Sequence, residues 1–270
     1  MQRTRRALVT VAFVLASCST PVLPASTPTT HAAALRLYAT SATLPLLNDL
    51  IRAYAQRAPD VSFDVRSADY EGVVALMLQT PDAYFLTNHL PPPETSALWG
   101  APIGQDAVAI IAHPDVNLDG LTLARLRDIY QGRVTNWQAL GGGDQEIVVI
   151  SREGGSGTRA EFERLVMGER RTTSTALVAP SSAAMLELVA RQPGSVGYVS
   201  LGWADERVAA LAVDAVPPTR ETVAANTYPL RTTLFIAGLG EPEGPLRAFI
   251  AWAQSPEGQA VVARRHAPLN

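Results

Sequence analysis

The segment Arg152-Glu153-Gly154-Gly155-Ser156-Gly157-Thr158 has the residue types and spacing of a seat for a small tetrahedral anion. Glycines let the backbone approach a ligand closely. The first N–H groups of the helix predicted from Arg159 to Val166 have no intrahelical acceptor. Ser156 adds a hydroxyl, Arg152 a planar fork that matches two oxygens, and the helix dipole about half a positive charge. Donors dominate, with no base or metal ligand beside them, which suits holding an anion better than transforming one.

The flanking residues position this loop. Glu146 to Ser151 reads as a buried strand, and Phe162, Leu165 and Val166 mark one helical face. Strand, glycine turn and helix in that order put the loop at the carboxyl edge of a sheet, where open α/β sheets bind their ligands. The same grammar starts earlier. Leu35 to Ala39 alternates as a strand, and Leu46, Leu47, Leu50, Ile51 and Tyr54 follow at helical spacing behind Pro45. Val61 to Val65 predicts a second strand and Gly72 to Leu78 a second helix. Further strands are expected at Ala107 to Ala112, Val196 to Ser200 and Leu230 to Ala237. Helices are expected at Leu121 to Ile129, capped by Thr122, at Ser181 to Ala190, and from Leu246 to Ala263. The count exceeds one compact sheet, so two lobes are the simpler reading.

Composition narrows the function. The 270 residues are 47% hydrophobic, enough for a substantial core, and 17% charged. A pI near 5.8 points away from nucleic acid. All 22 basic residues are arginines, which removes a P-loop lysine and Schiff-base chemistry. Asp115-Val116-Asn117-Leu118-Asp119-Gly120 imitates the first half of a calcium loop, but Leu126 stands where the bidentate glutamate belongs. The four histidines, His31, His89, His113 and His266, are dispersed. No metal or cofactor is expected.

Arg3, Arg5 and Arg6 precede an apolar run from Ala7 to Ala16, the charge and length of an export signal. It ends in Leu15-Ala16-Ser17-Cys18, which resembles a bacterial lipobox, so residues 1–17 are read as a signal peptide and Cys18 as the lipidated first residue. Cys18 is the sole cysteine, which excludes an internal disulfide. Residues 18–34, rich in Pro, Ser, Thr and Ala, read as a disordered tether. Loss of residues 1–17 removes three arginines, so 22 minus 3 leaves 19 basic against 25 acidic residues and a charge of −6.

Three stretches then carry a family resemblance. They are Gly104-Gln105-Asp106-Ala107-Val108-Ala109-Ile110-Ile111, Leu121 to Gly132 with Thr135-Asn136-Trp137, and the Arg152 to Thr158 loop. Pro193 to Val199 and Trp252 to Gln259 add shorter matches. Together they resemble the phosphate-type substrate-binding proteins of ABC importers, with the type II periplasmic binding fold. The resemblance implies two α/β lobes, each a mainly parallel sheet flanked by helices, joined by two crossover segments and closing on the ligand. The expected division is 35–105 plus 230–270 for lobe I and 106–229 for lobe II. It also implies a monomer that takes inorganic phosphate or a related oxyanion and hands it to an ABC permease, with no enzymatic step.

Carried across, the ligand contacts are Arg152, Ser156, Gly157 and Thr158 in lobe II, and Thr43 and Leu44 in lobe I. The other first-lobe loops depart from the family pattern. Ser67 to Gly72 replaces a Gly-Ser-Gly type turn, and Leu86-Thr87-Asn88 an Ala-Ser-Asp or Ala-Ser-Arg stretch. Asn88 can accept a ligand proton through its carbonyl, or Asp69 can supply that acceptor. These departures keep open a sensor or adhesion module with weak or no anion binding. A hydrolase using Ser156 is a further alternative, but Thr158 breaks the nucleophile-elbow pattern.

Overall fold

The computed structural model describes residues 34–269, so the export signal, Cys18 and the tether through residue 33 lie outside the described residues. The strands are β1 (Leu35–Thr40), β2 (Phe63–Asp64), β3 (Ser67–Ala68), β4 (Tyr84–Thr87), β5 (Trp99–Ala112), β6 (Gly120–Leu121), β7 (Val148–Arg152), β8 (Leu177–Ala179), β9 (Ser195–Ser200), β10 (Ala209–Val213) and β11 (Arg231–Gly238). The helices are α1 (Leu44–Arg57), α2 (Tyr70–Leu78), α3 (Leu123–Tyr130), α4 (Gly157–Phe162), α5 (Ser182–Arg191), α6 (Arg220–Ala224), α7 (Gly244–Gln254) and α8 (Pro256–Val262).

The strands run in the order β2-β1-β4-β11-β5-β9-β7-β8. Pairing is parallel at both flanks, where β1 meets β2 and β4, and β7 meets β8 and β9. It is antiparallel in the middle, where β11 meets β4 and β5, and β5 meets β9. The middle strands β5 and β11 are therefore the ones that carry the chain between two α/β lobes. Lobe I packs α1, α7 and α8 on one face of its sheet through Leu46, Leu50, Tyr54, Phe249 and Trp252. Lobe II packs α3 and α4 through Leu126, Tyr130 and Phe162, and α5 through Met185 and Val189 on the other face.

Local sequence explains most boundaries. Pro45 sits in the first turn of α1, where its missing N–H costs nothing. Thr122 and Ser181 cap α3 and α5 by accepting from the N–H of Arg125 and Ala184. The strand expected over Val61 to Val65 shrinks to β2, because Val61 is held in a turn onto Ala58 and only Phe63 and Asp64 pair with β1. In contrast, β5 begins at Trp99, well before Ala107. Pro102 has no N–H for the ladder, and the pairing with β11 slips by one residue there, with Phe235 opposite Pro102 and Leu234 opposite Gly104. The helix expected through Val166 is α4 followed by one π-helical turn, Glu163–Met167.

Candidate functional site

Arg152 ends β7 and is 1% exposed. Its Nε donates to Glu153 Oε2 at 2.8 Å and Ala179 O at 3.2 Å, and Nη1 donates to Ser182 Oγ at 3.1 Å. Nη2 donates to Glu153 Oε1 at 2.7 Å and, across the cleft, to Ser41 Oγ at 3.1 Å. One of the five guanidinium N–H groups, on Nη1, is left over among the described residues. The fork that the sequence offers to a ligand is thus gripped by the neighbouring carboxylate. Arg152 N–H donates to the Tyr198 hydroxyl at 3.2 Å. Burial pushes that phenol up to about 12, so it stays neutral and adds no negative charge beside the cation.

Ser156 caps α4, its Oγ accepting from the N–H of Arg159 at 3.2 Å, which leaves the hydroxyl hydrogen free to donate. Gly157 and Thr158 open the helix, and their N–H groups have no intrahelical acceptor. Thr158 is buried, and its Oγ1 receives Asn88 Nδ2 from lobe I at 3.1 Å. Among the described residues, Asn88 Oδ1 is buried with no hydrogen-bond partner.

The remaining expected residues divide. Thr43 is fully buried, but its hydroxyl donates to Leu86 O at 2.7 Å. Leu44 is the first residue of α1, so its N–H has no intrahelical acceptor. Asp69 is the N-cap of α2, with Oδ1 accepting from Gly72 N–H at 2.7 Å, and its other oxygen lies against Gly155. Sequence reasoning missed Ser41, although its hydroxyl stands in the same strand-to-helix turn as Thr43. It also missed Glu153 as the partner of the fork, and the buried Asp106 and His266 behind Asn88.

Contacts besides the Arg152–Ser41 and Asn88–Thr158 pairs close the cleft. Trp203 Nε1 donates to Ala42 O at 2.9 Å, and Glu71 N–H to Gly155 O at 3.2 Å. His89 Nδ1 lies 2.7 Å from Glu161 Oε1, and Arg164 holds the other oxygen. A cavity of about 660 Å³, lined in part by Asn88, His89, Glu161, Arg164 and Arg231, adjoins this ion pair. Most of the residues expected to hold an anion lie apart from that cavity, around the start of α4, while Asn88 lines it. Burial raises the Glu161 carboxyl, but the hydrogen bonds from His89 and Arg164 outweigh it and hold the group below its ordinary 4.5. A depressed carboxylate stabilises the folded protein above its unfolded pKa, and that contribution disappears as pH falls through the folded value. Urea unfolding of Glu161→Gln is therefore expected to show a flatter pH dependence than wild type below about pH 4.5; parallel curves would discount this ion pair.

Asp115, in the calcium-loop look-alike, accepts from Gly194 N–H and Gln145 Nε2 and holds a turn. Among the described residues, no group of three or more His, Cys, Asp or Glu side chains is placed to hold a metal ion.

A two-lobed α/β body with such a cleft defines a class, and the family comparison agrees. Residues 24–257 match the PBP superfamily domain, and the chain belongs to that superfamily. Within it, the chain is similar to the phosphate-binding protein PstS of Bacillus subtilis, 28% identical over 167 residues, 62% of this chain and 55% of the relative. It is also similar to phosphate-binding protein PstS 2 of Streptococcus pneumoniae, 35% identical over 124 residues, 43% of either chain. The chain thus spans about half the length of these curated relatives. Solved structures match more fully. A substrate-binding protein of Clostridium perfringens solved with bound phosphate has TM-score 0.82 and 27% identity, over 88% of this chain and all of that one. An ABC-type phosphate transport receptor from Vibrio cholerae has TM-score 0.70 and 26% identity, over 87% and 100%. The type II periplasmic binding fold expected from the sequence is the fold found.

Proposed function

We propose that this protein captures inorganic phosphate, or a closely related oxyanion, outside the cytoplasm and delivers it to an ABC permease. The observation that carries the reading is the buried, unpartnered Asn88 Oδ1, facing a set of donors at the start of α4. A hydrogen phosphate ion presents oxygens to the spare Arg152 N–H, the Ser156 and Thr158 hydroxyls and the N–H groups of Leu44, Gly157 and Thr158. Its one hydroxyl matches Asn88 Oδ1. Charge-assisted hydrogen bonds contribute about 1.5 to 3 kcal/mol each, and micromolar affinity needs about 8 kcal/mol net, so both lobes must take part. The lobes are 35–105 plus 230–270 and 106–229, hinged where β5 and β11 cross. Cys18 carries the lipid anchor, and the body works as a monomer on the tether that follows.

Calorimetric titration of the phosphate-stripped protein with phosphate, arsenate, sulfate and molybdate tests the reading. Saturable phosphate binding is the expected result, and no heat with any of the four would refute it.

One observation favours a second reading, a sensor or adhesion module with feeble anion binding: Glu153 already holds two Arg152 donors. If Glu153 merely competes with the ligand, Glu153→Gln removes a repelling charge and is expected to tighten phosphate binding several-fold. A Glu153→Gln protein that still ignores phosphate would favour the module.

A further inference from the structure

Asp106 stands behind Asn88, fully buried on β5 where that strand leaves lobe I. Its Oδ1 accepts from the Leu201 N–H and from His266 Nδ1, each at 3.1 Å, and its Oδ2 lies 3.5 Å from Asn88 Nδ2. An ionised carboxylate only accepts hydrogen bonds. It therefore draws the NH₂ end of the Asn88 amide toward itself, whereas the reverse orientation would set two acceptors against each other in a buried site. The second amide hydrogen goes to Thr158 Oγ1 at 3.1 Å, so the Thr158 hydroxyl is left to donate its own hydrogen. Both amide hydrogens are then used, and Asn88 Oδ1 has no partner among the described residues.

Resting on the phosphate reading above, we propose that Asp106 is a positioning residue that sets the anion selectivity of the site. By fixing the Asn88 amide it makes Asn88 Oδ1 an obligate acceptor and Thr158 a donor. The site then takes an oxyanion that still carries a proton, such as hydrogen phosphate or hydrogen arsenate. Fully ionised sulfate meets Asn88 Oδ1 with an oxygen and no hydrogen, leaving a buried acceptor against a negative charge.

Asp106→Asn tests this in the full chain, with phosphate and sulfate titrated after removal of carried-over phosphate. The oxygen of the new amide keeps the Leu201 and His266 donors, so its NH₂ faces Asn88 and inverts that amide. Asn88 then offers a donor to the ligand. The phosphate-to-sulfate affinity ratio is expected to fall at least about tenfold, with sulfate affinity rising. An equal loss for both anions, or an unchanged ratio, overturns the proposal, since mere structural support moves both together. If Asp106→Asn does not fold, wild type decides by comparison of hydrogen phosphate with monofluorophosphate, which has fluorine in place of the hydroxyl. At least about tenfold weaker binding of monofluorophosphate is expected, and equal affinities overturn the fixed acceptor. A wild-type chain that binds neither phosphate nor sulfate removes the anion-binding reading and this proposal with it.

Discussion

Arg152→Ala is expected to weaken phosphate binding by at least about tenfold, or roughly 1.4 kcal/mol, and to destabilise the folded protein by about 3 kcal/mol or more. The binding loss is the removal of a charged donor and of the Arg152–Ser41 contact between the lobes. The stability loss has a different origin. The guanidinium is buried, and its removal strips partners from the Glu153 carboxylate, the Ala179 carbonyl and Ser182 together. Breaking one side of such a pair leaves the other charge uncompensated, which costs more than the pair contributes. Arg152→Lys separates the two effects. An ammonium restores the charge but not the planar fork, so it is expected to recover part of the stability and little of the affinity. Calorimetric titration and urea unfolding measure the two quantities, and an unchanged dissociation constant in Arg152→Ala would remove this residue from the site.

The strand, loop and helix that carry Arg152 to Thr158 were legible in the sequence because each obeys a local rule. An apolar run precedes glycines, and a serine cap precedes a helical apolar stripe. What lay hidden depends on pairing between distant segments. Trp99 to Pro102 carries glycine and proline, which argue against a strand, yet β11 supplies a partner and a register slip absorbs the proline. Asp106 and His266 are 160 residues apart in sequence and meet only once β5 and the C-terminal segment are docked. Glu153 adjoins Arg152 in the chain, and neighbouring opposite charges in a sequence do not reveal whether they grip each other or a ligand. Asn88 was identified through its place in a family pattern, but its lone acceptor emerges only from the hydrogen bonds around it.

The glycines of the loop are the clearest instance of a residue type recognised from sequence with part of its reason unseen. Glycine there suits close approach to a ligand, and the structure adds a second cause. A Cβ on Gly157 would meet the Cβ atoms of His89 at 3.0 Å and Tyr70 at 3.3 Å, and one on Gly155 would meet Asp69 Oδ2 at 2.7 Å. The opposing lobe occupies that space. Cβ atoms next to the main chain cannot swing aside as side-chain tips can, so Gly157→Val, with two further methyls, is expected to hold the cleft ajar. Gly157 is not among the glycines with positive φ, so valine imposes no backbone strain, and valine has a slightly higher helix propensity than glycine. The ligand-free protein should therefore lose only the contacts that cross the cleft, among them His89–Glu161, and still unfold cooperatively at a somewhat lower urea concentration. Phosphate affinity should fall at least about hundredfold, roughly 2.7 kcal/mol, because the Leu44 N–H and Asn88 Oδ1 no longer reach an anion seated on α4. Small-angle scattering should then show the wild-type chain compacting with phosphate and the Gly157→Val chain unchanged. A variant that compacts, or that binds phosphate within a few-fold of wild type, would mean that capture does not require the two lobes to meet at the start of α4.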